Sequence, residues 1–236
     1  MKKWIFISLL VTFGSSNLTC QTLIGAWEAS IEVDGRQLRS VAIFSEGYQV
    51  NTYYDAETGA FISTNGGSWS LAGTKLSETV EFDTKTPERV GTTVVFEIEL
   101  TENELRAVDN NVVWKRLDDG SPGDLGGAWL ISGRMRDGEL QKRDTDRPRK
   151  TMKILSGTRF QWIAYNIETK EFMGTGGGTY TTANGKYTEN IEFFSRDDSR
   201  VGASLEFDYE VKDGDWHHSG QSSKGKPIYE VWSLRN

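Results

Sequence analysis

The chain has 236 residues, 26% of them charged, 36% hydrophobic and 11% aromatic, which excludes a disordered chain and implies a packed core. Its formal net charge of −7 argues against a phosphate-binding surface, so nucleic acid is not an expected partner. The single cysteine, Cys20, excludes an intramolecular disulfide.

At the N-terminus, Lys2 and Lys3 precede an apolar run over residues 4–13, and Gly14, Ser15 and Ser16 then lead to Cys20. Positive, apolar and small residues in that order mark a signal for export, and the run is too short to span a bilayer. Residues 1–20 are therefore read as a signal peptide cleaved after Cys20. The mature protein is expected to be exported: periplasmic, secreted or envelope-associated. Lipidation of Cys20 is the alternative, which the preceding Asn17, Leu18 and Thr19 fit poorly. No later apolar stretch is long enough to form a transmembrane segment.

Residues 39–44 and 93–100 alternate polar and apolar side chains over strand lengths, with turn signals at Asp34-Gly35 and Glu46-Gly47. Gly66-Gly67 falls inside strand-like sequence, as a bulge or barrel corner does. Residues 118–124 are polar and turn-rich and read as a linker. Beyond them residues 204–211 alternate again, Asn184-Gly185 and Asp213-Gly214 mark turns, and Gly176-Gly177-Gly178 repeats the glycine cluster. Nothing keeps a helical period.

Self-comparison explains these echoes. A shift of 111 carries Phe61 onto Phe172, Thr64 onto Thr175, Trp69 onto Tyr180, Glu78 and Glu81 onto Glu189 and Glu192, and Arg89 onto Arg200. Trp27 returns as Trp129 at a shift of 102, and Trp114 as Trp232 at a shift of 118. The chain is thus a tandem duplication, with domains at 21–117 and 125–236. The second copy carries two insertions. One lies in residues 134–153, with eight Lys or Arg against four Asp or Glu, and the other includes Trp216-His217-His218. The expected fold class is all-β: two tandem antiparallel up-and-down barrels of about eight strands each, since closure removes exposed strand edges.

Gly25-Ala26-Trp27 and Gly127-Ala128-Trp129 resemble the opening strand of lipocalin-like proteins. Residues 175–180, 187–194 and 216–220 are similar to a group of secreted bacterial lipocalin-like proteins. The resemblance implies calycin-type barrels in which a basic residue of the last strand packs over the Trp, here within residues 113–116 and 231–235. It also implies small-ligand binding. Copies of about 95 residues are short for that family, so a tight barrel is expected, with a deep cavity in the first copy in doubt.

The expected site lies in the second copy. Its members are Trp162, Tyr165, Tyr180, Glu189, Glu192, Arg200, Trp216, His217 and His218. Aromatic faces with few polar tips suit an apolar or carbohydrate-like small molecule. Adjacent strand residues face opposite ways, so only one histidine enters the barrel, on the face of Trp216, while a solvated hairpin tip is the plainer reading. The histidine spacing does not suit a metal, and no cofactor fingerprint occurs. Glutamates three apart also point to opposite faces, one inward and one to solvent, with Arg89 and Arg200 as natural partners. An enzyme using His217 or His218 with Glu189 or Glu192 as acid and base is the second reading. An envelope interaction module is the third.

Overall fold

The computed structural model describes residues 22–121, 123–222 and 225–235, so the expected signal peptide and Cys20 lie outside the described residues. The first copy folds as β1 (Gly25–Val33), β2 (Arg36–Phe44), β3 (Tyr48–Asp55), β4 (Phe61–Ala72), β5 (Lys75–Asp83), β6 (Thr93–Leu100), β7 (Glu104–Ala107) and β8 (Val112–Asp118). Each strand pairs antiparallel with the next, and β8 closes onto β1. The second copy comprises β9 (Gly127–Arg136), β10 (Glu139–Lys142), β11 (Arg149–Leu155), β12 (Arg159–Asn166), β13 (Glu171–Ala183), β14 (Lys186–Phe194), β15 (Ser204–Lys212), β16 (Asp215–Gln221) and β17 (Pro227–Leu234). Here β9 and β11 to β17 close an eight-strand ring through the β9–β17 pairing. The chain is therefore all-β, with two closed up-and-down barrels. Strand β10 pairs only with the end of β9, so the first insertion builds a hairpin outside the ring. No helix among the described residues is long and apolar enough to cross a membrane.

Local chemistry accounts for the connections. Asp34-Gly35, Asn184-Gly185 and Asp213-Gly214 all adopt positive φ at both residues, the conformation that two-residue hairpins require. Pairing shifts register at Gly66/Gly67 and again at Gly177/Gly178, so both expected bulges are present. A Cβ on Gly67 would lie 1.9 Å from the Thr79 carbonyl oxygen, and one on Gly178 would lie 2.0 Å from that of Asn190. Only glycine lets the neighbouring backbone approach so closely.

Strand alternation sends apolar side chains both into the barrels and outward. The inward sets form one core per barrel, around Trp27 and Trp114 in the first and Trp129, Trp216 and Trp232 in the second. The outward sets of β2, β3 and β5 meet those of β11, β12 and β14 in a third core between the barrels. There Tyr54 stacks on Phe193 at 5.0 Å and Phe82 lies 4.8 Å from Tyr165, while Phe61 stacks on Phe172 at 5.9 Å. The Tyr54 hydroxyl donates to Glu192 at 2.7 Å, and the Tyr165 hydroxyl donates to Glu81. Tyr54 and Tyr165, Glu81 and Glu192, Phe82 and Phe193, and Phe61 and Phe172 are all 111 apart. The barrels thus face each other about an approximate two-fold axis.

This interface revises two expectations. Glu81 and Glu192 leave the barrel interiors as expected, but they enter the seam rather than solvent. Arg235 grips Glu81 with both terminal nitrogens at 2.7 and 2.8 Å, and Arg39 and Arg159 bind Glu192. The expected partners go elsewhere: Arg89 pairs with Asp83 at 2.9 Å, and the Nε of Arg200 lies 3.2 Å from Asp197. Asp118, expected in the linker, is instead the last residue of β8 and ties the first barrel to a turn of the second. Its carboxylate accepts hydrogen bonds from Ser156 Oγ, Gly157 N, Thr158 N and Thr158 Oγ1 over 2.6–3.1 Å.

Candidate functional site

In the second barrel, β16 directs Trp216 and His218 inward and His217 outward, as period-two alternation demands. Lys153 of β11 reaches the centre and pairs with Glu189 of β14 at 2.7 Å, both side chains being buried. The Tyr187 hydroxyl also donates to Glu189, at 3.0 Å. The Lys153 ammonium lies 5.0 Å from the Tyr187 ring, 4.9 Å from Trp216, 5.3 Å from Trp232 and 5.9 Å from Phe207. A desolvated cation among aromatic faces and beside a carboxylate is held by both attractions.

His218 lies alongside this cage. It is 2% exposed, with Phe207 at 4.2 Å and Tyr187 and Trp216 packed against its ring. Its Nδ1 stands 3.6 Å from Glu230, longer than a hydrogen bond, and neither ring nitrogen finds a hydrogen-bond partner. Burial and the Lys153 charge push the imidazole below its usual pKa, against the pull of Glu230 and Glu189. Burial alone raises a carboxyl, yet His218, Lys153 and Arg134 together hold Glu230 down at about 2. Arg134 binds that carboxylate directly.

The nine residues expected in one site are therefore dispersed. Glu189, Trp216, His218 and Tyr180 line the second barrel, where the Tyr180 hydroxyl donates to the Ser156 carbonyl at 2.6 Å. Trp162 packs at the margin of that core, 5.5 Å from Phe194. Tyr165 and Glu192 belong to the seam between the barrels. His217 is on the outer face with Nδ1 2.8 Å from the Tyr229 hydroxyl, and Arg200 lies in a short 3-10 turn, Asp198–Arg200. The interior expected to hold a ligand is filled by the chain's own lysine, histidine and tryptophans. A general base must reach its substrate, and His218 is sealed among aromatic rings.

The first barrel differs at the same positions. Strand register equates Ala42 with Lys153, because Trp27 pairs with Ala42 where Trp129 pairs with Lys153. By the same reasoning Ala107 corresponds to His218, Leu76 to Tyr187 and Leu105 to Trp216. Each substitution is to a smaller side chain. Together they leave a cavity of about 380 Å³, lined by these four residues and by Trp69, Phe96 and Trp114 among others. Glu78, which corresponds to Glu189, also lines it. The first copy thus has a cavity, although its short length argued for a tight barrel.

No family model matches this chain, and no curated protein matches it. The lipocalin-like resemblance consequently rests on architecture and one detail. In the first barrel the Arg116 guanidinium lies 3.9 Å over the Trp27 ring, as that resemblance implied. In the second, Leu234 pairs with Trp129, and Arg235 turns away to the seam.

Glu78 is the most unusual group in the cavity. It is 5% exposed, and its Oε1 has no hydrogen-bond partner. Burial pushes its carboxyl up to about 7; Arg89 opposes the rise, Asp83 adds to it, and a hydrogen bond with Gln49 lowers it. Ala42 and Ala107 carried the missed signal. Comparing what each copy holds at the same inward position separates a plugged barrel from an open one.

Proposed function

We propose that this is an exported protein that binds a small molecule inside its first barrel. The observation that carries the reading is the cavity of about 380 Å³, a size that accepts a compact ligand, whose apolar residues are joined by polar ones such as Gln49, Asn51, Asn65, Glu78 and Arg89. The aromatic lining of Trp69, Phe96 and Trp114 suits an apolar or ring-bearing ligand, and Glu78 supplies a fixed polar contact. Export is the reading of residues 1–20, and the lipocalin-like resemblance supports binding by fold analogy alone.

Native mass spectrometry of the protein exposed to a mixed small-molecule extract tests this. The wild-type chain should retain a ligand, and Ala42→Trp, which fills the cavity, should not. Equal retention by both, or by neither, rejects the reading.

A further inference from the structure

Resting on the reading that the first barrel binds a small molecule, the internal comparison identifies the chemical class. We propose that the first barrel binds an organic ammonium ion, its charged head beside Glu78 and its apolar body against Leu76, Leu105, Phe96 and Trp114.

The second barrel shows what this interior is built to hold. There the Lys153 ammonium sits 2.7 Å from Glu189 and within 6 Å of four aromatic rings. The first barrel keeps the carboxylate, as Glu78, and two of those rings, as Phe96 and Trp114. It lacks the cation, because Ala42 stands where Lys153 does. The two remaining rings become Leu76 and Leu105, so the wall remains apolar while the space widens. A buried carboxylate without a full set of partners is costly, and a ligand cation removes that cost.

The other charges near Glu78 do not replace the missing ammonium. Arg89 lines the cavity but its guanidinium is engaged by Asp83 at 2.9 Å, and Asp83 adds a second negative charge nearby. Gln49, Asn51 and Asn65, which also line the cavity, are amides and carry no charge. Binding an ammonium to the protonated acid releases one proton to solvent. Affinity should therefore fall as pH is lowered through Glu78's titration, by about tenfold from pH 8 to pH 6.

The test uses two isosteric probes, phenethylammonium and phenethyl alcohol, followed by calorimetry on the whole protein. Wild type should bind the ammonium at least tenfold more tightly than the alcohol at pH 8. Glu78→Gln, checked for folding by near-ultraviolet circular dichroism, should abolish that preference and its pH dependence. Ala42→Lys should supply the cation internally and abolish ammonium binding. Equal binding of the two probes by wild type, or an ammonium preference that survives in Glu78→Gln or Ala42→Lys, overturns the proposal while leaving small-molecule binding intact. Loss of both probes together with extract retention that Ala42→Trp does not change defeats both readings.

Discussion

Lys153 holds the centre of the second barrel through a carboxylate and four aromatic faces, so its removal strands Glu189 in an apolar interior. Lys153→Ala is expected to cost about 3–5 kcal/mol, the usual penalty for breaking one side of a buried pair. It also opens a cavity shaped like the deleted side chain. Millimolar n-butylammonium should then raise the melting temperature of the variant and leave that of wild type unchanged; a thermal melt with and without the salt checks this. The buried acids and bases set opposing pH limbs. Folding holds His218 below its ordinary 6.5, so the unfolded chain binds more protons and stability declines as pH falls beneath that value. Glu230, held at about 2 against an ordinary 4.5, continues the loss below pH 4.5. Glu78 acts in the reverse sense: raised from 4.5 to about 7, it keeps its proton in the fold, so stability declines as pH rises across that interval. Denaturant titrations from pH 4 to 8 should show the neutral limb flatten in Glu78→Gln and the acid limb become shallower in His218→Gln.

At the scale of single elements, the sequence was most readable where backbone geometry restricts residue choice. The Asp-Gly and Asn-Gly turns and the glycine pairs are such places, since positive φ and close backbone approach admit little else. Gly67→Ala, whose Cβ would meet the Thr79 carbonyl oxygen at 1.9 Å, is expected to destabilise the first barrel by about 3 kcal/mol, at the top of the range for overpacking. Gly73→Ala, at a turn with open space, should cost less despite its φ of 62°. Chemical denaturation of the two variants decides it. Side-chain destinations were less legible. Alternation places Glu81 and Glu192 outside the barrels, yet it cannot distinguish solvent from a partner barrel, because both accept a charged group if arginines are at hand. Likewise Tyr165 looks like a cavity aromatic until β12 is seen to turn its Gln161, Ile163 and Tyr165 face to the seam. The histidines drew attention to the second copy because the chain has only two, both there. The cavity belongs to the copy with alanines, which carry no chemical signal of their own.

For the molecule as a whole, the third core joins the two barrels through one continuous apolar cluster. Val41, Ile43, Tyr54 and Phe82 would be bare without Met152, Ile154, Tyr165 and Phe193. A single calorimetric transition is expected for wild type, and Phe61→Asp with Phe172→Asp should split it into two by breaking the stack on the pseudo-symmetry axis. An unsplit transition in the double variant would show that the Asp118 clamp and the arginine–glutamate contacts suffice. The near-symmetry of this seam has one further consequence. Two identical barrels meeting this way must share one interior design, both plugged or both open, because each mutation would be written in both. Joining the halves in one polypeptide releases them from that equality. One half can then keep a packed interior while the other changes its lining, its outer wall still braced by its neighbour.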